Sequence, residues 1–185
     1  MSMSQRMLPD YTAAEIMTSP AVACREEAYL EEVAELLAER EISGVPVVNE
    51  DDEVVGVISE RDLAHTLGGP MIRLALRRPS HIGQEVVEMR DVPRTGRTAK
   101  VLMTSPPTVA EASTPVHVLA ELMVRTQINR VPIVSDNKLV GVVSRGDLLS
   151  AISGLKHHEI AVDQDPVIIG SGISAAEIPT HPRLH

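Results

Sequence analysis

The chain has 185 residues, 43% of them hydrophobic, with no Phe or Trp and only two Tyr, so its core must be aliphatic. Base stacking on aromatic platforms is thereby excluded as a main binding mode. A formal charge of −9 argues against broad nucleic-acid binding, and a single Cys24 excludes an intrachain disulfide.

Residues 1–11 form an N-terminal segment. Its start, Met1-Ser2-Met3-Ser4-Gln5, has no signal-peptide core. No apolar run approaches the roughly 18 residues of a membrane span. With one unpaired cysteine, these features lead us to expect a soluble cytoplasmic protein.

Residues 12–67 read as one unit. A short helix leads into Met17-Thr18-Ser19-Pro20, where the proline ends it. An extended stretch, Ala21–Ala23, precedes a helix over Glu27–Arg40, with Leu30, Val33 and Leu37 on one face. Strands follow at Val45–Val48 and Val54–Ile58, joined by the acidic turn Glu50-Asp51-Asp52-Glu53. A second helix starts after Ser59. Residues 68–97 form an inter-motif linker, and Gly68–Lys100 carries seven basic and three acidic residues. A solvated segment is the expectation there.

Residues 98–154 repeat the first unit. Met103-Thr104-Ser105-Pro106 repeats Met17-Thr18-Ser19-Pro20 at an offset of 86, and Val131-Pro132-Ile133-Val134 repeats Val45-Pro46-Val47-Val48. The offset drops to 85 after the turn, where Gly141-Val142-Val143-Ser144-Arg145-Gly146-Asp147-Leu148 matches Gly56-Val57-Ile58-Ser59-Glu60-Arg61-Asp62-Leu63. The elements are again an extended stretch (Thr108–Ala110), a helix (Pro115–Thr126, with Val118 and Leu122 on its apolar face), two strands (Val131–Val134, Leu139–Val143) and a helix after Ser144. The result is an α+β chain of two β-α-β-β-α motifs. Each is small for independent stability, so the pair should bury its apolar faces together. The tail, 155–185, carries Val167-Ile168-Ile169-Gly170 among prolines and histidines and reads as a peripheral or partly disordered segment.

The chemistry sits at Gly56-Val-Ile-Ser59-x-x-Asp62 and Gly141-Val-Val-Ser144-x-x-Asp147. A strand ends at the serine and a helix begins, and helix-start N–H groups attract phosphate. A carboxylate one turn later can accept two hydrogen bonds from the vicinal hydroxyls of a ribose. Ser-x-x-Asp is also a helix cap, satisfying the helix's own N–H groups. Its duplication within a repeat favours a ligand at one copy or both. Gly56 leaves room for a ligand or backbone to approach.

The paired Gly-h-h-Ser-x-x-Asp pattern, with h-Pro-h-h upstream and Met-Thr near each start, resembles the cystathionine-β-synthase (CBS) domain family over about 12–67 and 98–154. The resemblance implies two CBS motifs packed as a pseudo-twofold pair. It implies clefts that bind AMP, ADP, ATP or S-adenosylmethionine as a regulatory ligand, with no bound cofactor. Asp62 and Asp147 would hold ribose hydroxyls, and Ser59 and Ser144 would face ribose or phosphate. Thr18, Thr104, Val45, Pro46, Val131 and Pro132 would border the adenine. The run Gln127-Ile128-Asn129-Arg130-Val131-Pro132 resembles the regulatory γ subunit of AMP-activated protein kinase, which makes Arg130 a phosphate ligand. The first copy has Gly44 at that place.

No nucleophile–base pair, metal cluster or lysine-bearing phosphate loop is found, so a binding module is expected rather than an enzyme. The expected output is energy sensing, signalled in trans to an unknown protein. A homodimer is expected through helix faces that include Leu63, Leu67, Leu148, Leu149 and Ile152. The competing expectation is a ligand-free structural dimerisation module.

Overall fold

The computed structural model describes residues 10–67, 96–153 and 166–170. The linker, most of the tail and most of the N-terminal segment lie outside the described residues. In chain order the elements are α1 (Ala13–Ile16), β1 (Val22–Arg25), α2 (Leu30–Arg40), β2 (Gly44–Val48), β3 (Val54–Ser59) and α3 (Glu60–Leu67). They continue with α4 (Ala99–Leu102), β4 (Ala110–Glu111), α5 (Val116–Thr126), β5 (Arg130–Ser135), β6 (Lys138–Ser144), α6 (Arg145–Ser153) and β7 (Val167–Ile169).

The described residues form two compact units that do not follow the repeat boundaries. Unit 1 takes α1 from the first repeat and joins it to β4, α5, β5, β6 and α6. Unit 2 takes α4 from the second repeat and joins it to β1, α2, β2, most of β3, α3 and β7. The short opening helix of each repeat is therefore exchanged.

In unit 1 the sheet order is β4-β5-β6, with β4 parallel and β6 antiparallel to β5. Asp136 and Asn137, at φ 50° and 66°, make the tight turn between β5 and β6. Both occupy the left-handed region that a two-residue hairpin turn requires. The exchanged α1 opens on Thr12, whose backbone N–H and hydroxyl both donate to the Glu15 carboxylate at 2.8 Å. Those bonds hold the Glu15 carboxyl below its ordinary value. Ala13 and Ala14 N–H groups donate to the Thr114 and Ala112 carbonyls. Ile16 and Met17 then enter an aliphatic cluster with Leu119, Met123, Ile133 and Val143.

In unit 2 the sheet order is β3-β2-β1-β7, and β1 pairs in parallel with both β2 and β7. The exchanged α4 docks as α1 does: Ala99 N–H donates to the Ala28 carbonyl and Lys100 N–H to the Glu26 carbonyl. The cluster behind the sheet contains Leu30, Val33, Leu36, Val47, Ile58 and Ile169. Helices α2 and α5 both end on left-handed residues, Glu41 and Gln127, at equivalent repeat positions.

Four expectations are corrected. Helix α2 begins at Leu30, not Glu27, because the Tyr29 N–H donates to the Glu32 carboxylate and the preceding turn is committed to holding α4. Strands β1 and β4 begin one and two residues later than Ala21 and Thr108. On α5 the buried apolar residues are Val116, Leu119 and Met123, whereas Val118 is exposed. Within the tail, Val167–Ile169 is a strand in a sheet rather than a peripheral segment.

Candidate functional site

Each unit contains one Ser-x-x-Asp site at a strand-to-helix junction. In unit 2, β3 ends at Ser59, and Asp62 Oδ2 accepts from the Ser59 backbone N–H at 2.8 Å and from its hydroxyl at 2.6 Å. In unit 1, Asp147 Oδ2 accepts from the Ser144 N–H at 2.6 Å and its hydroxyl at 2.7 Å. Asp62 N–H and Asp147 N–H both face their serine oxygens at 3.4 Å. The Ser–Asp bonds of the two junctions correspond one to one. The cap is real, and it holds each carboxylate half-buried at the start of its helix.

The first helical N–H is also committed: Glu60 donates to the Ser43 carbonyl at 3.0 Å and Arg145 to the Asn129 carbonyl at 2.9 Å. These bonds make Ser43 and Asn129 equivalent, so the following residues, Gly44 and Arg130, occupy one position in the two units. Arg130 stands directly opposite Ser144 in the antiparallel β5–β6 pair. Paired residues share a sheet face, so the Arg130 side chain leaves the strand on the serine's side.

The exchanged segments supply the other edge of each site. Thr18 N–H donates to the Val142 carbonyl at 2.9 Å, and Val142 N–H returns to Thr18 at 3.1 Å. Thr104 and Val57 bridge in the same way, at 2.9 and 3.2 Å. Each bridge lies two residues before the site serine. Thr18 therefore belongs with Ser144, Asp147 and Arg130, and Thr104 with Ser59 and Asp62. Both threonines are exposed. Ser19 adds a hydroxyl bond to the Val140 carbonyl at 3.1 Å.

Gly56 and Gly141 make this docking fit. A Cβ at Gly56 would stand 2.6 Å from Met103 Sδ, and one at Gly141 would fall onto the Met17 thioether. The close approach expected at Gly56 is thus made by a methionine of the exchanged segment. Val45 and Val131 are buried in the aliphatic clusters. Pro46 and Pro132 are buried in β2 and β5, and the Pro46 carbonyl faces the Cys24 thiol at 3.8 Å. Thr, Ser and Asp therefore recur at both junctions, and Arg130 has Gly44 as its unit 2 counterpart, while these four apolar residues belong to the buried strands.

Among the described residues no cluster of His, Cys, Asp and Glu could hold a metal ion, and no helix is long and apolar enough to cross a membrane. Burial pushes the Cys24 thiol up to about 12. Of the expected dimer residues, Leu63 and Leu148 are buried, Leu149 and Ile152 are exposed, and the Leu67 side chain lies outside the described residues.

A family model for the CBS domain matches residues 13–69 and 99–154. An uncharacterised protein of Methanocaldococcus jannaschii, MJ1426, is 33% identical over 152 residues, covering 75% of this chain and 89% of that protein. The crystal structure of CBSX2 in complex with AMP superposes with a TM-score of 0.61 at 27% identity, covering 80% of this chain and 99% of that one. The CBS domain pair of MJ0100, in complex with 5′-methylthioadenosine and S-adenosyl-L-methionine, shares the fold with a TM-score of 0.60 at 24% identity, covering 79% and 98%.

Proposed function

Because the chain belongs to the CBS-domain family, we propose that it is a regulatory module that binds an adenosine-containing ligand, AMP foremost, at its Ser-x-x-Asp sites. The observation that carries this reading is the duplicated junction: a serine-held carboxylate beside an exposed threonine, with the same Ser–Asp and threonine bridge bonds in both units. A carboxylate has about four lone-pair positions, so one group can serve as helix cap and ribose acceptor together. AMP in the related CBSX2 structure supports the choice of ligand class. Arg130 beside Ser144 gives unit 1 a cation for phosphate.

On this reading the output is energy sensing passed in trans to a protein target by a cytoplasmic homodimer. Val124, Leu149 and Ile152, exposed by 80, 58 and 52% on α5 and α6, are the face for a second copy. Light scattering should return about twice the 20.0 kDa chain mass. A monomer mass at micromolar concentration removes the dimer.

A thermal-shift panel of adenosine, AMP, ADP, ATP and S-adenosylmethionine tests the ligand. Ligand at about 100 times its Kd should stabilise by about 2.7 kcal/mol. A flat response to all five sinks the ligand reading and leaves a structural dimerisation module.

A further inference from the structure

Strand β7 lies outside the residues matched by the CBS-domain family, yet it is built into unit 2. Val167, Ile168 and Ile169 stand opposite Val22, Ala23 and Cys24. Ile169 is 1% exposed and joins the cluster that contains Leu30 and Ala99. Gly170 follows at φ 94°, and a Cβ there would come within 2.8 Å of Ala28 Cβ. Only a glycine lets the backbone turn and close on Ala28 at that point.

Ala28 links this strand to the site. Its carbonyl accepts the Ala99 N–H at 2.8 Å, and two residues earlier Glu26 holds Lys100 by a carbonyl bond and a 2.9 Å ion pair. Helix α4, fixed at its start on this turn, places Met103 against Gly56 and Thr104 on Val57. Val57 lies two residues before Ser59. From β7 to the Ser59–Asp62 site the chain of contacts is unbroken within one unit. In unit 1 the matching strand, β4, is the sheet edge among the described residues.

We propose that β7 is a positioning strap for the unit 2 site: it fixes the Ala28 turn, and through α4 it holds Thr104 at the edge of the Ser59–Asp62 junction. The effect on binding rests on the ligand reading above. The effect on Thr104 does not.

The test uses the full chain carrying Asp147→Ala, so that binding reports unit 2. Ile169→Asp is added, with Ile169→Val as the conservative control and Gly170→Ala as a milder second variant. Expected are a loss of AMP or S-adenosylmethionine affinity of tenfold or more with Ile169→Asp, near-parent affinity with Ile169→Val, and a partial loss with Gly170→Ala. Two ligand-free readouts accompany it. Cys24, paired with Ile169, should become reactive to a thiol reagent. Hydrogen exchange at Thr104 and Val57 should accelerate at least tenfold while Thr18 and Val142 stay within twofold. If the parent binds no adenosine compound, the ligand reading fails and exchange alone decides the strap. Unchanged exchange at Thr104 in Gly170→Ala and in a folded Ile169→Asp overturns it, as does equal acceleration in both units.

Discussion

The two units share one frame and differ in what surrounds it. Around the unit 1 junction stand Arg130, Arg145 and Asp147; around the unit 2 junction stand Glu60, Arg61 and Asp62, with Gly44 in the Arg130 position. Two arginines and one carboxylate have been exchanged for one arginine and two carboxylates. Helix-start N–H groups attract an anion in either unit, but a carboxylate at the first helical position opposes a phosphate there. The sheet edges differ as well: unit 2 carries β7 outside β1, whereas among the described residues unit 1 ends at β4. The Thr–Ser–Asp frame is common to both units; on the proposed reading, phosphate preference is set by single charged residues around it.

The most damaging way to break the common frame is to fill its glycine. Gly141→Val drives a side chain into Met17 and should cost about 1–3 kcal/mol or more in urea denaturation. Met17→Ala in the same chain should return part of it, a coupling of about 0.5–3 kcal/mol. Additive losses would mean the exchanged segment is not seated there.

Arg130→Ala sharpens the electrostatic contrast. On the proposed reading it weakens AMP at unit 1 by about 1.5–3 kcal/mol and leaves adenosine nearly untouched. Titration calorimetry with both ligands checks this, and equal losses would make Arg130 a structural residue. Glu60→Gln should strengthen AMP at unit 2 by about 0.3–1 kcal/mol, measured in the Asp147→Ala background.

The smallest effect concerns Cys24, whose repeat counterpart is Ala110. Folded protein should resist thiol reagents at neutral pH and react fully once denatured. The sign of the linked pH effect follows from the raised value. Between the ordinary 9.0 and about 12, the unfolded chain has lost the proton that the folded chain keeps. This contribution to stability is therefore complete below pH 9 and declines as pH rises through that window.

Strand positions were legible because apolar runs bounded by turn residues recur twice: β2, β3, β5 and β6 fall within a residue of expectation at each end. The Ser-x-x-Asp junctions were legible as caps. The exchange of α1 and α4 was not, because a four-residue helix carries no local sign of which strand edge it will meet. A non-local sign did exist in Met17, Met103, Gly56 and Gly141, one large and one small residue per repeat, each large one filling the other repeat's gap. Strand β7 was hidden because three apolar residues beside a glycine carry no readable period. Ile169 is buried by the unit 2 cluster and by β1, all far away in sequence.

On the proposed reading both junctions bind through their carboxylates, and unit 1 is the stronger AMP site. Calorimetry with AMP on Asp147→Ala and Asp62→Ala tests it most directly. Losses of about 1.5–3 kcal/mol are expected at the altered site, with Asp147→Ala removing the tighter binding event and Asp62→Ala the weaker. Unchanged AMP binding in both variants would contradict it.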